Sequence, residues 1–294
     1  MAKARALDRR RKSVRNIRKI TRTMELIATA RFKKAMDRSV AARDYTKQLA
    51  KILENIAGAG AGVVHPLLEI RPTKRSAVLV LTGNRGLCGG YNSNVVRQSV
   101  ALLGQWKSEQ VATHVSVSGK RGISALKFRG IDIAEQHTSF EDKPEFAAVA
   151  PLGRAYLEAY STGAIDRLDV VYTKFDSIAR QQAVTEMLLP LAPPKADTTA
   201  DRAATLASQE YDFYPSAESI LEEILPASFL SRLFKCFLDA AVSEQVARMV
   251  AMKAATENAG GLIKSLSRQY NRARQSQITG EIMEILGGVE ALKK

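Results

Sequence analysis

The chain has 294 residues, 46% of them hydrophobic and 25% charged, a balance that excludes a disordered or fibrous protein and leaves room for a real core. Its net charge is +14, and residues 1–51 hold 17 Lys/Arg against 4 Asp/Glu, so nearly all of the excess sits in the first sixth of the chain. Such a block calls for an acidic partner: nucleic acid, anionic lipid or an acidic protein surface. The apolar runs are far shorter than the roughly 20 residues of a membrane-spanning helix. The basic start lacks the apolar stretch of a secretory signal, and its helical pattern runs on past residue 50 without the break of a transit peptide. Cys88 and Cys236 are distant in sequence and belong to no metal-ligand spacing, which suits a reducing compartment.

In chain order, residues 2–57 contain neither Gly nor Pro and predict one long helix, closed by the Gly-Ala run that starts at Gly58. Val14, Ile17, Thr21, Met24, Ala28, Arg31, Ala35, Arg38, Ala42, Tyr45, Leu49, Ile52 and Ile56 follow a 3/4 spacing, a seam of mostly uncharged and often small residues that lets a second helix approach. At 1.5 Å per residue such a helix is a rod about 75 Å long. Ser76–Thr82 reads as a buried strand and is followed by a Gly-rich loop and a helix over Ser93–Ser108. A strand over Val111–Ser118, a helix over Lys120–Phe128 and a short strand near Ile131–Ala134 come next. The α/β part closes with a helix over Pro144–Ser161 and strands over Leu168–Thr173 and Gln182–Leu188. Strand and helix alternate as in a parallel sheet covered on both faces.

Residues 190–210 read as a loop, Tyr211–Pro215 as an aromatic strand, and Ser216 as the cap of a short helix over Ser219–Ile224 that Pro226 ends. After Pro226 no proline remains, and a second long helix runs to about Leu292. Its last part carries Ile278, Ile282, Ile285, Val289 and Leu292 at steps of 4, 3, 4 and 3. The expected fold class is therefore α/β with a long antiparallel coiled coil. The terminal helices (2–57 and 227–292) pair as a shaft, residues 74–190 form a Rossmann-like domain with a mainly parallel sheet, and 191–226 form a foot.

The loop Gly83–Gly90 is the obvious place to look for phosphate binding. It lacks the Lys-Ser/Thr that a P-loop needs after its last glycine and the GxGxxG spacing of a dinucleotide fingerprint, so a tight strand-to-helix turn is the simpler reading. Cys88 has no nearby histidine to activate it, and His65, His114 and His137 are scattered. Glu141 and Asp142 are adjacent but lack companions at metal-binding spacing. The sequence offers no catalytic constellation and no cofactor site. A basic coiled-coil protein that binds nucleic acid is the alternative reading. Against it, the basic residues of the first helix read as spread round it, without interleaved aromatic side chains.

Three segments resemble the γ subunit of the F-type ATP synthases, in its bacterial form. They are Ser13–Ala30 (SVRNIRKITRTMELIATA), Arg85–Gly90 (RGLCGG) and Ser243–Asn258 (SEQVARMVAMKAATEN), the last continued by NRARQSQI at Asn271–Ile278. The resemblance implies a non-catalytic subunit present in one copy, whose terminal helices stand as a shaft inside a ring of three α and three β subunits. The α/β domain sits beside ε on the c ring, and proton-driven rotation of that ring cycles the catalytic sites of β. It further implies no cofactor, no nucleic acid and no insertion into the membrane, with the complex peripheral to the cytoplasmic face of the bacterial inner membrane. Carried over by motif, Met24 packs near the acidic lever of β, although it fits an ordinary seam position as well. Arg274, Gln275 and Thr279 meet a β loop, where a solvated helix face is the plainer alternative. Arg9, Arg10, Lys12, Arg18 and Lys19 supply the densest positive charge, and Arg85, Gly86, Leu87, Cys88 and Gly89 form the motif loop. Two positions depart from the family pattern: Asn84 stands where an Asp is usual, and Tyr214 stands where an acid usually precedes Pro215. The paired cysteines of the photosynthetic branch are missing, so thiol regulation is not expected.

Overall fold

The computed structural model describes residues 2–58, 65–140, 143–191 and 217–292. The rest of the Gly-Ala run, the Glu141–Asp142 pair, most of the 190–210 loop, the Tyr211–Pro215 strand with Tyr214, and the Ser216 cap lie outside the described residues. Two compact units are present, one made of Ala30–Ala247 and the other of Met1–Thr29 with Arg248–Lys294.

The larger unit is built on a five-stranded sheet of order β3-β2-β1-β4-β5, with β1 at Arg75–Leu81, β2 at Ala112–Ser118, β3 at Glu135–His137, β4 at Arg167–Phe175 and β5 at Gln181–Leu189. The first four strands run parallel, and β5 returns antiparallel against β4 as an edge. β1 lies at the centre, and from Ser76 to Leu81 it is buried without interruption, as an apolar strand covered on both faces requires. Alternate residues serve opposite faces. Val78, Val80, Val115, Val117 and Val171 pack under α2 (Tyr91–Ser108) and α3 (Lys120–Phe128). Leu79, Leu81, Leu168, Val170 and Tyr172 pack under α4 (Phe146–Ser161) and the first part of α5 (Ala217–Leu292).

Two expectations need correction. The short strand falls at 135–137 rather than 131–134, because Ile131 and Ile133 are drawn under α2 and α3 while the ladder with β2 starts at Ser116 opposite Glu135. Pro226 does not break the chain either: α5 runs through it. A proline inside a helix costs about 3 kcal/mol. Leu221, Leu225, Phe229, Leu233 and Phe237, one helical turn apart and all buried on the sheet, each contribute about 1.5–3 kcal/mol, so packing wins.

In each unit α1 (Ala2–Gly58) runs antiparallel to α5. In the larger unit the Ser39 hydroxyl lies 3.5 Å from Asp239 Oδ1 and that of Thr46 2.8 Å from that of Ser231. In the smaller one Thr256 donates to Thr21 Oγ1 at 2.8 Å, Val14 packs with Ala259 and Leu266, and Arg11 lies 4.6 Å over the Tyr270 ring. One column of the expected seam is correct: Val14, Thr21, Ala28, Ala35 and Leu49 are buried at a period of seven. The second column lies on the other side of it. Ile17 and Tyr45 are 50% and 58% exposed, Ile52 is exposed too and Met24 is half-buried, whereas Glu25 and Ser39 are buried with Phe32, Thr46 and Leu53 partly covered. A period of seven leaves both +3 and +4 open, and apolarity favoured the wrong one. The partner helix decides it, by offering Ser231 and Asp239 to hydroxyls rather than a greasy groove.

Gly153 of α4 faces α5 so closely that a Cβ there would overlap Leu230 and come within 3.2 Å of Leu233 Cδ2. Gly153→Val is expected to lower stability by about 1–3 kcal/mol by overpacking this crossing. Urea denaturation followed by far-UV circular dichroism measures it, and an unchanged midpoint would mean that the helices separate freely.

Candidate functional site

The loop after β1 is closed on itself. Thr82 Oγ1 accepts the Gly122 N–H at 3.0 Å and donates to Ser118 O at 2.8 Å, while the Gly83 carbonyl accepts the Arg121 N–H at 3.2 Å. Asn84 Oδ1 accepts the Lys120 N–H at 3.0 Å. The first three amides of α3 are thus all engaged by the loop, and the N-terminus of that helix is not left to cradle a phosphate. On the other side Gly83 N–H donates to Asn92 Oδ1 at 2.8 Å, and the Tyr91 and Asn94 amides bond back to Cys88 and Gly90. Glycine at Gly83 lets the Glu244 carboxylate of α5 come close: a Cβ there would stand 2.7 Å from it, and the carboxylate would have to shift. Cys88 is buried and takes the Asn92 side-chain amide at 3.2 Å. Arg85, Gly86, Leu87, Cys88 and Gly89 therefore make a structural corner. Only Leu87 among the apolar ones projects outward, 60% exposed with φ at 63°.

Asn84 also explains why an acid is not needed at its position. Its side-chain amide donates to the carbonyls of Thr138 (3.2 Å) and Phe140 (3.3 Å) while its oxygen caps α3. This is a pin between two loops that only an amide makes in full.

The smaller unit carries the charge. Lys12, Arg18 and Lys19 line a groove of about 1140 Å³ together with Arg15, Arg22 and Thr256. The spacing 12, 15, 19, 22 puts four of these cations on one face of α1, so the positive residues are more focused than their apparent spread round the helix implied. Arg15 and Arg22 were missed although that 3/4 spacing marks them. A second groove, of about 480 Å³, is bordered by Arg9 and Lys12 from α1 and by Arg274 and Ile278 from α5. Arg10 is exposed but is not among the residues bordering either groove. Asp8 ties down part of the charge: hydrogen bonds from Lys12 (3.1 Å) and Arg11 (2.6 Å) hold its carboxyl below its usual range. Gln275 and Thr279 are exposed, like Arg274. Beyond them α5 is exposed at Ile278, Ile282, Met283, Ile285, Leu286 and Val289, with Ile285 at 67%. Among the described residues these apolar side chains are covered only in part.

Among the described residues no three His, Cys, Asp or Glu come together to hold a metal, and no helix is long and apolar enough to cross a membrane. The second cysteine, Cys236, is fully buried, and burial pushes its thiol well above the usual range.

Comparison with known proteins gives consistent relatives. The model of a family described as ATP synthase matches residues 3–292. A protein of Rhodopirellula baltica called ATP synthase gamma chain is 59% identical, over 100% of both chains. Another of the same name from Frankia casuarinae is 41% identical over 97% of this chain and 96% of its own. Among solved structures, a chain of the Euglena gracilis mitochondrial ATP synthase (OSCP/F1/c-ring) superposes with a TM-score of 0.69 at 18% identity, covering 99% of this chain and 95% of that one. A chain of the Tetrahymena thermophila mitochondrial ATP synthase central stalk and c-ring gives 0.57 at 20% identity, over 80% and 99%. At such identities the structural likeness is one of fold.

The pin made by Asn84 yields a direct test. Asn84→Asp keeps the cap on Lys120 but sets a carboxylate against two carbonyls, at an expected cost of about 1–3 kcal/mol. Thermal denaturation at pH 7.5 measures it. Wild-type stability in this variant would show that the two amide bonds contribute nothing.

Proposed function

Because the chain belongs to the ATP synthase gamma-chain family, we propose that it serves as the rotor shaft of the complex, coupling proton-driven rotation of a c ring to conformational cycling of three catalytic β subunits. The observation that carries this reading is the surface of the smaller unit. It combines exposed cations on α1 with a run of exposed apolar side chains from Ile278 to Val289. Apolar side chains so placed are costly in water, since each buries about 1.5–3 kcal/mol worth of contact when covered. Enclosure within an α3β3 ring covers them, and the cations then meet acidic faces of β.

In this role the shaft does no chemistry. It carries no catalytic residue and no cofactor, and the nucleotide chemistry belongs to β. Met24, Arg274, Gln275 and Thr279 touch β, and Arg9, Arg10, Lys12, Arg18 and Lys19 supply electrostatic attraction to it. Turning the shaft presents a different set of contacts to each β subunit, and each site's equilibrium shifts by the difference in contact energy between its conformations. Residues 2–57 and 227–292 act as the shaft, 74–190 as the domain that meets ε, and 191–226 as the foot toward the c ring. One copy serves each complex, at the cytoplasmic face of a bacterial inner membrane and without entering it. The basic first helix needs no nucleic acid in this account, because acidic protein faces satisfy the same charge.

Two results are expected. The purified chain alone hydrolyses no ATP, and it co-purifies from its native membrane with α, β and ε; robust hydrolysis by the isolated chain would overturn the reading. Met24→Lys, which places a cation at a half-buried position on α1, lowers proton pumping per ATP hydrolysed in membrane vesicles while leaving the complex assembled. Unchanged coupling in that variant removes Met24 from the contact.

A further inference from the structure

We propose that a cavity of the larger unit, bounded by α1, β4 and α5, binds a phosphate-type oxyanion, either free phosphate or the phosphoryl end of a nucleotide. The cavity measures about 360 Å³ and is lined by Arg43 and Lys47 of α1, Lys174 of β4 and Lys235 of α5, with Asp239 and Asp176 beside them. The sequence hides this cluster, since its members are up to 192 residues apart. Local geometry nonetheless aims each of them. Arg43 and Lys47 are one helical turn apart, as are Lys235 and Asp239, and Lys174 points away from the sheet core between buried Thr173 and Phe175.

The charges do not cancel. Among the described residues no carboxylate oxygen lies within 4.0 Å of any of the four cationic side chains, and Asp176 is engaged by Arg180 at 3.6 Å. Asp239 is the one counter-charge on the floor, and it is a poor one. It is 1% exposed and its nearest polar contact is the Ser39 hydroxyl at 3.5 Å. The groups that face it are Arg43 from α1, Lys174 from β4, Glu186 from β5, and Lys235 with Cys236 on its own helix. Burial pushes its carboxyl up to about 6 even though Lys235 and Arg43 pull it down. Arg43 and Lys235 are half-buried, while Lys47 and Lys174 stand exposed at the rim of the cavity. Like charges lining one cavity repel one another, and an anion with several acceptor oxygens relieves that repulsion while accepting charge-assisted hydrogen bonds. A planar guanidinium together with three ammonium groups is the donor set that phosphate oxygens fit.

Asp239 makes the site pH-sensitive. As the pH falls through about 6 it takes up a proton, one negative charge leaves the floor, and the cavity becomes more attractive to an anion. Binding therefore tightens toward acid. Folding follows the same sign: a carboxyl raised from 3.8 to about 6 favours the folded state below 3.8, and that contribution is lost as the pH rises through about 6.

Isothermal titration of the full chain with inorganic phosphate, with ADP and with sulfate tests this, sulfate serving as the pH probe because it remains a dianion across the range. Saturable one-to-one binding is expected. Phosphate binding as well as ADP marks free phosphate as the source, and ADP alone marks a nucleotide. Arg43→Ala and Lys174→Ala each weaken binding about tenfold, the loss of one charge-assisted bond, whereas Lys107→Ala on the exposed end of α2 does not. Sulfate binds the wild type more tightly at pH 5.5 than at pH 7.5. Asp239→Asn abolishes that difference and binds at pH 7.5 as the wild type does at pH 5.5. Absence of saturable binding for all three anions overturns the proposal, and so does binding that ignores Arg43→Ala and Lys174→Ala. Circular dichroism melts of each variant separate a lost site from a lost fold.

Discussion

The pairing of α1 with α5 is the contact on which the rest depends. Neither helix carries enough apolar surface to be stable in water alone, and α1 has only a narrow buried column. That column is built mostly of small residues, Thr21, Ala28 and Ala35, which let the backbones approach and place hydroxyls within hydrogen-bond reach. Thr256 with Thr21 and Ser231 with Thr46 then favour one register, because a slip along the helix would separate these hydroxyl pairs. A greasier seam would bind more tightly and specify less.

The same economy governs the larger unit. The sheet needs cover on the face of Leu79, Leu168 and Val170, and α5 supplies it with a ridge of large residues one turn apart. The strength of that cover lets Pro226 sit in the helix and forces glycine at Gly153, where α4 crosses. At the edge of this packing the loop of Gly83–Gly90 is drawn against α5 through Gly83 and Glu244. What resembles a phosphate loop in its glycine content is shaped by that approach and by the three amides of α3 that it must satisfy.

Charge is distributed by a different rule. Some buried carboxylates are held by short contacts, as Asp169 is by Arg167 at 2.8 Å, whereas Asp239 is not. Among the described residues the cations round Asp239 have no such close partner, and on α1 only some are paired, Lys12 with Asp8 and Arg22 with Glu25. Excess positive charge kept on a folded surface costs stability through self-repulsion, and it is tolerated where something negative arrives from outside.

The sequence by itself determined a good deal. The absence of Gly and Pro from 2–57 fixed a long first helix, and the unbroken apolar run at Ser76–Thr82 fixed the central strand, because both signals are local and tied to backbone sterics. The string from Ser243 to Asn258, with RGLCGG and the SVRN segment, carried the family. Tertiary structure alone decided the rest. It chose Glu25 and Ser39 over Ile17 and Tyr45 for the second column of α1, since periodicity cannot tell +3 from +4 and only the partner helix can. It let α5 pass Pro226, because the burial that outweighs a proline comes from a sheet whose last strand, β5, ends 37 residues upstream. It also gathered Arg43 and Lys174 round Lys235 and Asp239, which no spacing rule brings together, since α1, β4 and α5 meet there only when the chain folds.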